Sequence, residues 1–566
     1  MDPTVSPQRV HSGVNAAARA IEHLPVAALA VLPAAFFGLM LIGLVRWYSP
    51  VPFWDMWDAY LAGYIAYLDG DWRWLFAQTN EHRIWFSNVL FFLDLTFFGG
   101  RSLFLIPANV VLVLALWLAL TLIARALLKD APRLWPAVAL ALGPLCFSWL
   151  QEQNLTWGFQ SQFFVAYLFP LAAFACLARS DDAQYGSRWF VAALVFGLAS
   201  LGTMANGIAV LPLMVAMSLA MRRISWRRTL IILVIGAVSI TAWFQGYFTV
   251  ARDHAPLAQT VTFILTFFGL PIGEMFASER ASYVAGALFI AATTAFALQW
   301  LRTRKVQAPL VLGLVTFLAY IGASCAVIAL GRAAIQPNAA LVSRYATPSL
   351  IAWCALAILV AFAFRHARYA RAVTVAVGIL AAAGLWPSQS KVFGEVGPEL
   401  VHQHLAGALA LKLKVADRRI IGAIYPTDSD EAFNHVRTVA DMAEGKKLSI
   451  MADADLAFAA SIIGQPVPVD LHACAGAVDQ LEVIEGESTY ARVSGWAFDE
   501  SLRAPPRLAF LVRDEVVEGV AAAGHSRPDV AASIGVAAAR SGFVGFLRPG
   551  ADEAAPPAQI FCRKAS

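Results

Sequence analysis

Two aspartates, Asp55 and Asp58, stand among tryptophans in the stretch VPFWDMWDAYL, directly after a long apolar run. On a helix, residues three apart share a face, so both carboxylates can point into one cavity. A carboxylate at a membrane surface has a pKa that moves up with burial and down beside a cation, which is the behaviour of a general base. The plainer role is to cap the helix that begins there, since aspartate is a preferred capping residue. Trp54, Trp57, Trp72, Trp74 and Trp85 suit an aromatic belt at the headgroup level, and a belt alone needs no catalysis.

The elements that must position these residues are membrane spans. Of the 566 residues 59% are hydrophobic and 14% charged, against about 25% charged in soluble domains, which excludes an ordinary soluble fold. Apolar runs of bilayer-crossing length recur from residue 24 to 388 and then stop. Residues 1–23 lack a signal peptide's short apolar core and cleavage site, so the first run is expected to be retained. The net charge of +4 is uninformative by itself, and no nucleic-acid partner is expected. Its distribution is more telling, because short cytoplasmic loops collect Lys and Arg. Clusters at Arg125/Lys129/Arg133, Arg222/Arg223/Arg227/Arg228, Arg302/Arg304/Lys305 and Arg365/Arg368/Arg371 fall on one side if about eleven helices cross. The expected spans lie near 24–46, 103–125, 134–150, 158–178, 188–204, 207–221, 229–249, 282–301, 307–331, 346–364 and 370–388.

That solution keeps 84–98, which carries Asp94, and 259–277, interrupted by GLPIGE, in the outer interface rather than across it. Counting both would give about 13 spans with the same sidedness for the first loop. The N-terminus is then cytoplasmic, and polar residues gather outside at 54–85, 151–162, 252–257 and 331–345. The fold class is thus an α-helical polytopic membrane domain over 1–388, with a first periplasmic loop at 47–102. Residues 389–473 mix helical periodicity with a short strand at IIGAIYP and read as a periplasmic α/β connector. From 474 to 566, short alternating apolar runs between turn residues read as a β-sandwich. Cys146, Cys176, Cys325 and Cys354 lie in apolar runs, whereas Cys474 and Cys562 bracket the last domain and look like a disulfide formed in an oxidising compartment.

A first span, an acid just after it, amphipathic helices in a large first external loop and a second acid outside the third span resemble the GT-C superfamily of polyprenyl-phosphate-dependent membrane glycosyltransferases. Protein mannosyltransferases and the aminoarabinose transferase of lipid A belong to it. Their loop begins Asp-Glu, with Gly-Asp-Trp some fifteen residues on; here Asp55 stands fifteen residues before Gly70, Asp71 and Trp72. Met56 replaces the second acid, so Asp55 and Asp58 both stay open as the base. The resemblance spans roughly residues 24–180 and implies further roles. Glu152, in QEQN, sits at the second acid; His82 and Arg83, in NEHRIW, sit where relatives hold the donor phosphate, although the relatives' prolines are missing. Arg344, in SRYATPSL just before a span, is the second cation expected to meet a lipid phosphate, which Arg binds by paired hydrogen bonds. Gln160, Gln162, His254 and Glu81 are weaker candidates for the substrate cavity. Snorkelling of the arginines and interhelical bonding of the glutamines are the plainer readings.

Some relatives need a divalent cation, which Asp55 and Glu152 would share; the reading here is against one. VSGWAFDE, GHSRPDVA and SGFVGFL resemble a β-domain appended to many bacterial glycosyltransferases. Together the resemblances imply transfer of a sugar from a polyprenyl-phosphate carrier to an envelope glycan, lipid or protein, in the bilayer of a bacterial inner membrane and on its periplasmic side. The rivals are a transporter or flippase of lipid-linked saccharide and an O-antigen-type ligase or polymerase. A flippase places charge at mid-membrane, often in inverted repeats, neither of which the sequence displays.

Overall fold

The computed structural model describes residues 26–181, 184–221, 224–249, 255–303, 309–334, 339–549 and 558–564. His254 with its neighbour Asp253, and Arg222, Arg223, Arg304 and Lys305 of the basic clusters, lie outside them. The chain divides into two compact units: one takes the chain to Gly43, Phe76–Ser87 and Ile106–Val392, the other Leu44–Leu75, Asn88–Leu105 and the chain from Phe393 onward.

The first unit is helical. Among the described residues nine helical stretches are long and apolar enough to cross a membrane, from Ala27–Arg46 to the run beginning at Ala370, as in a multi-pass membrane protein. A tenth arises if Leu134–Cys146 and Trp149–Thr156, bent by 40°, count as one. The bend follows from Pro144 near the helix end, where the ring removes a backbone donor. Ser148 then accepts from the Leu150 N–H, and Gln389 holds the break by accepting from the Trp149 N–H at 2.8 Å while donating to the Phe36 carbonyl.

Two expectations differ. Leu257–Phe276 is one continuous 20-residue helix through Pro271, long enough to cross, and it ends only at Ala277 in the left-handed conformation. Its glycines serve close packing rather than a break. A Cβ at Gly269 would lie 1.8 Å from the Ser282 carbonyl oxygen, and one at Gly286 2.0 Å from that of Leu265, so Leu257–Phe276 and Glu279–Thr303 touch backbone to backbone. Second, the expected spans 188–204 and 207–221 appear as short apolar helices, Gly186–Ser200 and Ala205–Met221. Trp85–Phe97, by contrast, has 13 residues, about 20 Å of helix against an apolar slab of about 30 Å, in keeping with the expectation that it does not cross.

The second unit joins the first loop to the C-terminal third of the chain. Its strands are β1 (Leu471–Ala473), β2 (Ala475–Val483), β3 (Ala491–Phe498), β4 (Leu508–Arg513), β5 (Val516–His525), β6 (Gly542–Leu547) and β7 (Gln559–Arg563). They form one antiparallel sheet in the order β1-β7-β4-β5-β6-β3-β2, a half-barrel rather than the expected two-sheet sandwich. Alternating burial marks a half-buried strand without saying what covers it. Here β5 is buried on both faces over much of its length, and the helix Val396–Lys412 packs on it. Cys474 and Cys562 form a disulfide that ties the β1–β2 junction to β7. Residues 396–462 are helical instead of mixed; IIGAIYP supplies the end of the short helix Arg418–Ile421 and the turn after it.

Two arrangements fix the loop in this unit. Asp94 is fully buried and accepts from the Tyr60 hydroxyl at 2.6 Å and from the Ser102 and Phe104 N–H groups at 3.0 and 2.9 Å. Ser449 donates to the Gly100 carbonyl at 2.6 Å, and Lys446 pairs with Asp69. Asp453 caps Ala454–Ile462 by accepting from the Asp455 and Leu456 N–H groups, and it also accepts from Arg507 at 2.9 and 3.1 Å. Burial opposes its ionisation, but the Arg507 bonds outweigh that and hold the carboxyl below the usual range. Its contribution is therefore complete above the unfolded-state pKa of about 3.9 and fades as pH falls through the lower folded-state value. Asp453→Ala is expected to cost about 1–2 kcal/mol at neutral pH, with the difference in thermal midpoint from wild type shrinking in acid; an equal gap at every pH would count against this account.

Candidate functional site

The segment that bears the two aspartates is not a plain helix. Trp54, a bulky residue, takes φ 48°, and its N–H donates to the Ile424 carbonyl at 2.8 Å. A tight turn over Trp54–Met56 passes into a π-helical turn over Trp57–Ala62 before regular helix begins at Gly63. A non-glycine residue with positive φ costs about 1–3 kcal/mol, and such strain and π-turns both concentrate at functional sites. Trp57 and Tyr60 point inward and are fully buried, which leaves Asp55 and Asp58 as the polar positions of the turn.

Asp58 is held from the far end of the sequence. The Tyr425 hydroxyl donates to both carboxylate oxygens at 3.2 Å, and His435 Nε2 lies 2.9 Å from Oδ1. A carboxylate can only accept, so the proton of the second contact sits on the imidazole. Tyr425 follows the helix Arg418–Ile421, and His435 belongs to Asp430–Gly445, whose start is capped by Ser429. Burial raises the Asp58 carboxyl above the usual carboxylate range, while the His435 charge and the bonds from Tyr425 and His435 pull it partly back. Burial and the Asp58 charge push the Tyr425 hydroxyl up, with Asp55 adding to the effect, so Tyr425 stays a neutral donor. The Asp58 and His435 side chains are nonetheless 39% and 45% exposed, so the pair is open to solvent. Neither Tyr425 nor His435 carries a local sequence signal that could have found it.

The other sequence candidates belong to the first unit. Glu152 Oε2 accepts from Ser343 Oγ at 2.7 Å, and Asn154 donates to the Arg344 carbonyl at 2.8 Å, so Glu152 and Arg344 sit in one neighbourhood. The charges of Lys391 and Glu274, themselves 3.9 Å apart, also act on Glu152. Gln160 and Gln162 are buried, and neither Oε1 accepts a hydrogen bond. Arg344 lies against the Tyr345 ring. NEHRIW forms a tight turn in which Thr79 and His82 exchange backbone bonds, and His82 Nδ1 accepts from the Ala205 N–H at 3.2 Å. Arg83 donates to the carbonyls of Phe76, Trp243 and Gln245 at 2.9, 3.0 and 2.7 Å, which ties that turn to the end of Trp226–Trp243. The Glu81 carbonyl accepts from the Tyr247 hydroxyl at 3.4 Å.

A cavity of about 440 Å³ in the first unit is lined by groups such as Leu32, Ala137, Pro144, Val375 and Ile379, with no side chain that could move a proton or hold a phosphate. Asp55 and Glu152, the pair considered for a shared divalent cation, belong to different units. Compared with protein-family models, with curated proteins and with solved structures, the chain matches none.

Proposed function

We propose that the chain is a membrane glycosyltransferase that moves a sugar from a polyprenyl-phosphate carrier to an envelope glycan, lipid or protein. It would act on the periplasmic face of a bacterial inner membrane, with its N-terminus in the cytoplasm. What supports the reading, besides the resemblance of the first loop to GT-C enzymes, is the Asp58 carboxylate. It is raised in pKa, oriented by a tyrosine and a histidine, and open on one side. Asp58 takes the proton of the acceptor hydroxyl as its oxygen bonds to the anomeric carbon. The bond from that carbon to the phosphate oxygen breaks, and the lipid phosphate leaves with the electron pair. One displacement inverts the anomeric centre. Arg83 and Arg344 are the cations that the resemblance implies for the departing phosphate. The unfilled Gln160 and Gln162 acceptors are suited to sugar hydroxyls.

The purified protein in bilayer nanodiscs, given a polyprenyl-phosphate sugar and an envelope extract, is expected to yield a product of inverted anomeric configuration. Movement of the intact carrier across a liposome without cleavage would favour a flippase. Release of polyprenyl diphosphate with an oligosaccharide joined to its acceptor would favour a ligase or polymerase.

The same geometry fixes the pH dependence. The base must be ionised, so transfer falls on the acid side as pH drops through the raised Asp58 pKa. Tyr425 and His435 both lower that pKa, so Tyr425→Phe and His435→Ala move the acid limb further up. A limb that stays in place, or shifts down, in both variants would remove Asp58 from the role of base.

A further inference from the structure

In the second unit, the helix Val396–Lys412 presents Glu399 and His402 three residues apart, hence on one face. His525 closes β5 beside them. One ligand atom from each of the three lies within 4.8 Å of the others, and the two imidazole rings are 5.8 Å apart. The strand end reaches this close because Gly524 takes φ +131° and lacks a Cβ, which would sit 3.3 Å from the Cβ of His402. A cavity of about 420 Å³ opens on all three residues and is also bordered by Gln403, Arg419 and Val544.

His402 is only 4% exposed, and although a backbone group of Ala523 interacts with its ring, Nδ1 makes no hydrogen bond. A buried imidazole nitrogen without a partner is costly unless something occupies it. We propose that Glu399, His402 and His525 form a binding site for a zinc-type transition-metal ion. Two imidazoles and one carboxylate are the ligand types such an ion takes at about 2.0–2.2 Å, whereas calcium and magnesium prefer an all-oxygen set. Three protein ligands leave the fourth place to water. Oε1 of Glu399 is the atom on the His525 side, 2.7 Å from its Nδ1. Oε2 lies 3.7 Å from the Arg540 guanidinium, so one carboxylate oxygen can bind the ion while the other is held from outside. Arg540 is a like charge to the metal, but it also pairs with Glu395, which offsets it. The ion would pin Val396–Lys412 to the sheet, independently of any glycosyl transfer. His472, Cys474 and Asp499 are similarly close, but the Cys474 sulfur is already bonded to Cys562.

The test uses the untagged full-length chain in detergent, stripped with chelator and titrated with Zn²⁺ alone, then with Co²⁺ to read the ligand field from its visible bands. The wild type is expected to bind one equivalent with a tetrahedral cobalt spectrum. Affinity should fall by more than the roughly 10- to 100-fold typical of lost outer contacts in His402→Ala, His525→Ala and Glu399→Gln, and stay unchanged in His472→Ala. His525 is 49% exposed in its side chain, so His525→Ala keeps the variant set informative even if His402→Ala fails to fold. No retained ion in the wild type, equal retention in His525→Ala and Glu399→Gln, or loss in His472→Ala would each overturn the proposal.

Discussion

Asp58→Asn is expected to lower sugar transfer by about 10² to 10⁴ while leaving expression, detergent behaviour and thermal midpoint close to wild type. That is the range over which general-base help acts. Asparagine keeps the shape of the side chain and an oxygen for the Tyr425 hydroxyl, so the π-helical turn should survive. It loses only the capacity to take a proton. Asp55→Asn is the comparison that matters, because Asp55 shares the turn and acts on Tyr425 electrostatically. A smaller loss is expected there. If Asp55→Asn were inactive and Asp58→Asn nearly normal, the base would be Asp55 and the Tyr425–His435 contacts would be structural. If neither variant lost transfer, the carboxylates would be caps and the enzymatic reading would fail.

Removing the Cys474–Cys562 bond carries the second large effect. The two residues are 88 apart in sequence, and closing a loop of that length limits the unfolded chain by about 4 kcal/mol in the chain-entropy account. Cys562 is fully buried on β7, so alanine at both positions avoids leaving a buried thiol. The double variant is expected to melt the half-barrel well below wild type, and a reductant should lower the wild type to the same point. Superimposable melting curves for oxidised wild type, reduced wild type and double variant would show that the sheet does not depend on the bond.

The membrane-type helices were legible because length and apolarity are local properties. Their count was not, since helix breaking by proline and glycine depends on the neighbour: Pro271 sits inside an unbroken helix, and Gly269 and Gly286 exist for the approach of the next one. Asp94 could be read as a solvated face or a loop hydrogen-bonder; only the positions of Tyr60, Ser102 and Phe104 decide for a fully buried acceptor. The strands of the last domain were readable from alternation, but one curled sheet and two stacked ones alternate alike. At the site, the sequence pointed to Asp55 and Asp58 together and left open which of them is the base. The two partners of Asp58 stayed hidden, because Tyr425 is 367 positions away and His435 lies further still, on a helix whose pattern describes only its own packing.

Ile424, Tyr425, His435, Lys446 and Ser449 all reach residues translated more than 300 positions earlier. During synthesis the aspartate-bearing turn must therefore wait, incompletely folded, until the last third of the polypeptide has emerged. A ribosome-stalled or truncated chain ending near residue 392 would keep its apolar helices yet leave that turn open to protease, so the turn matures only once the chain's own tail has been made.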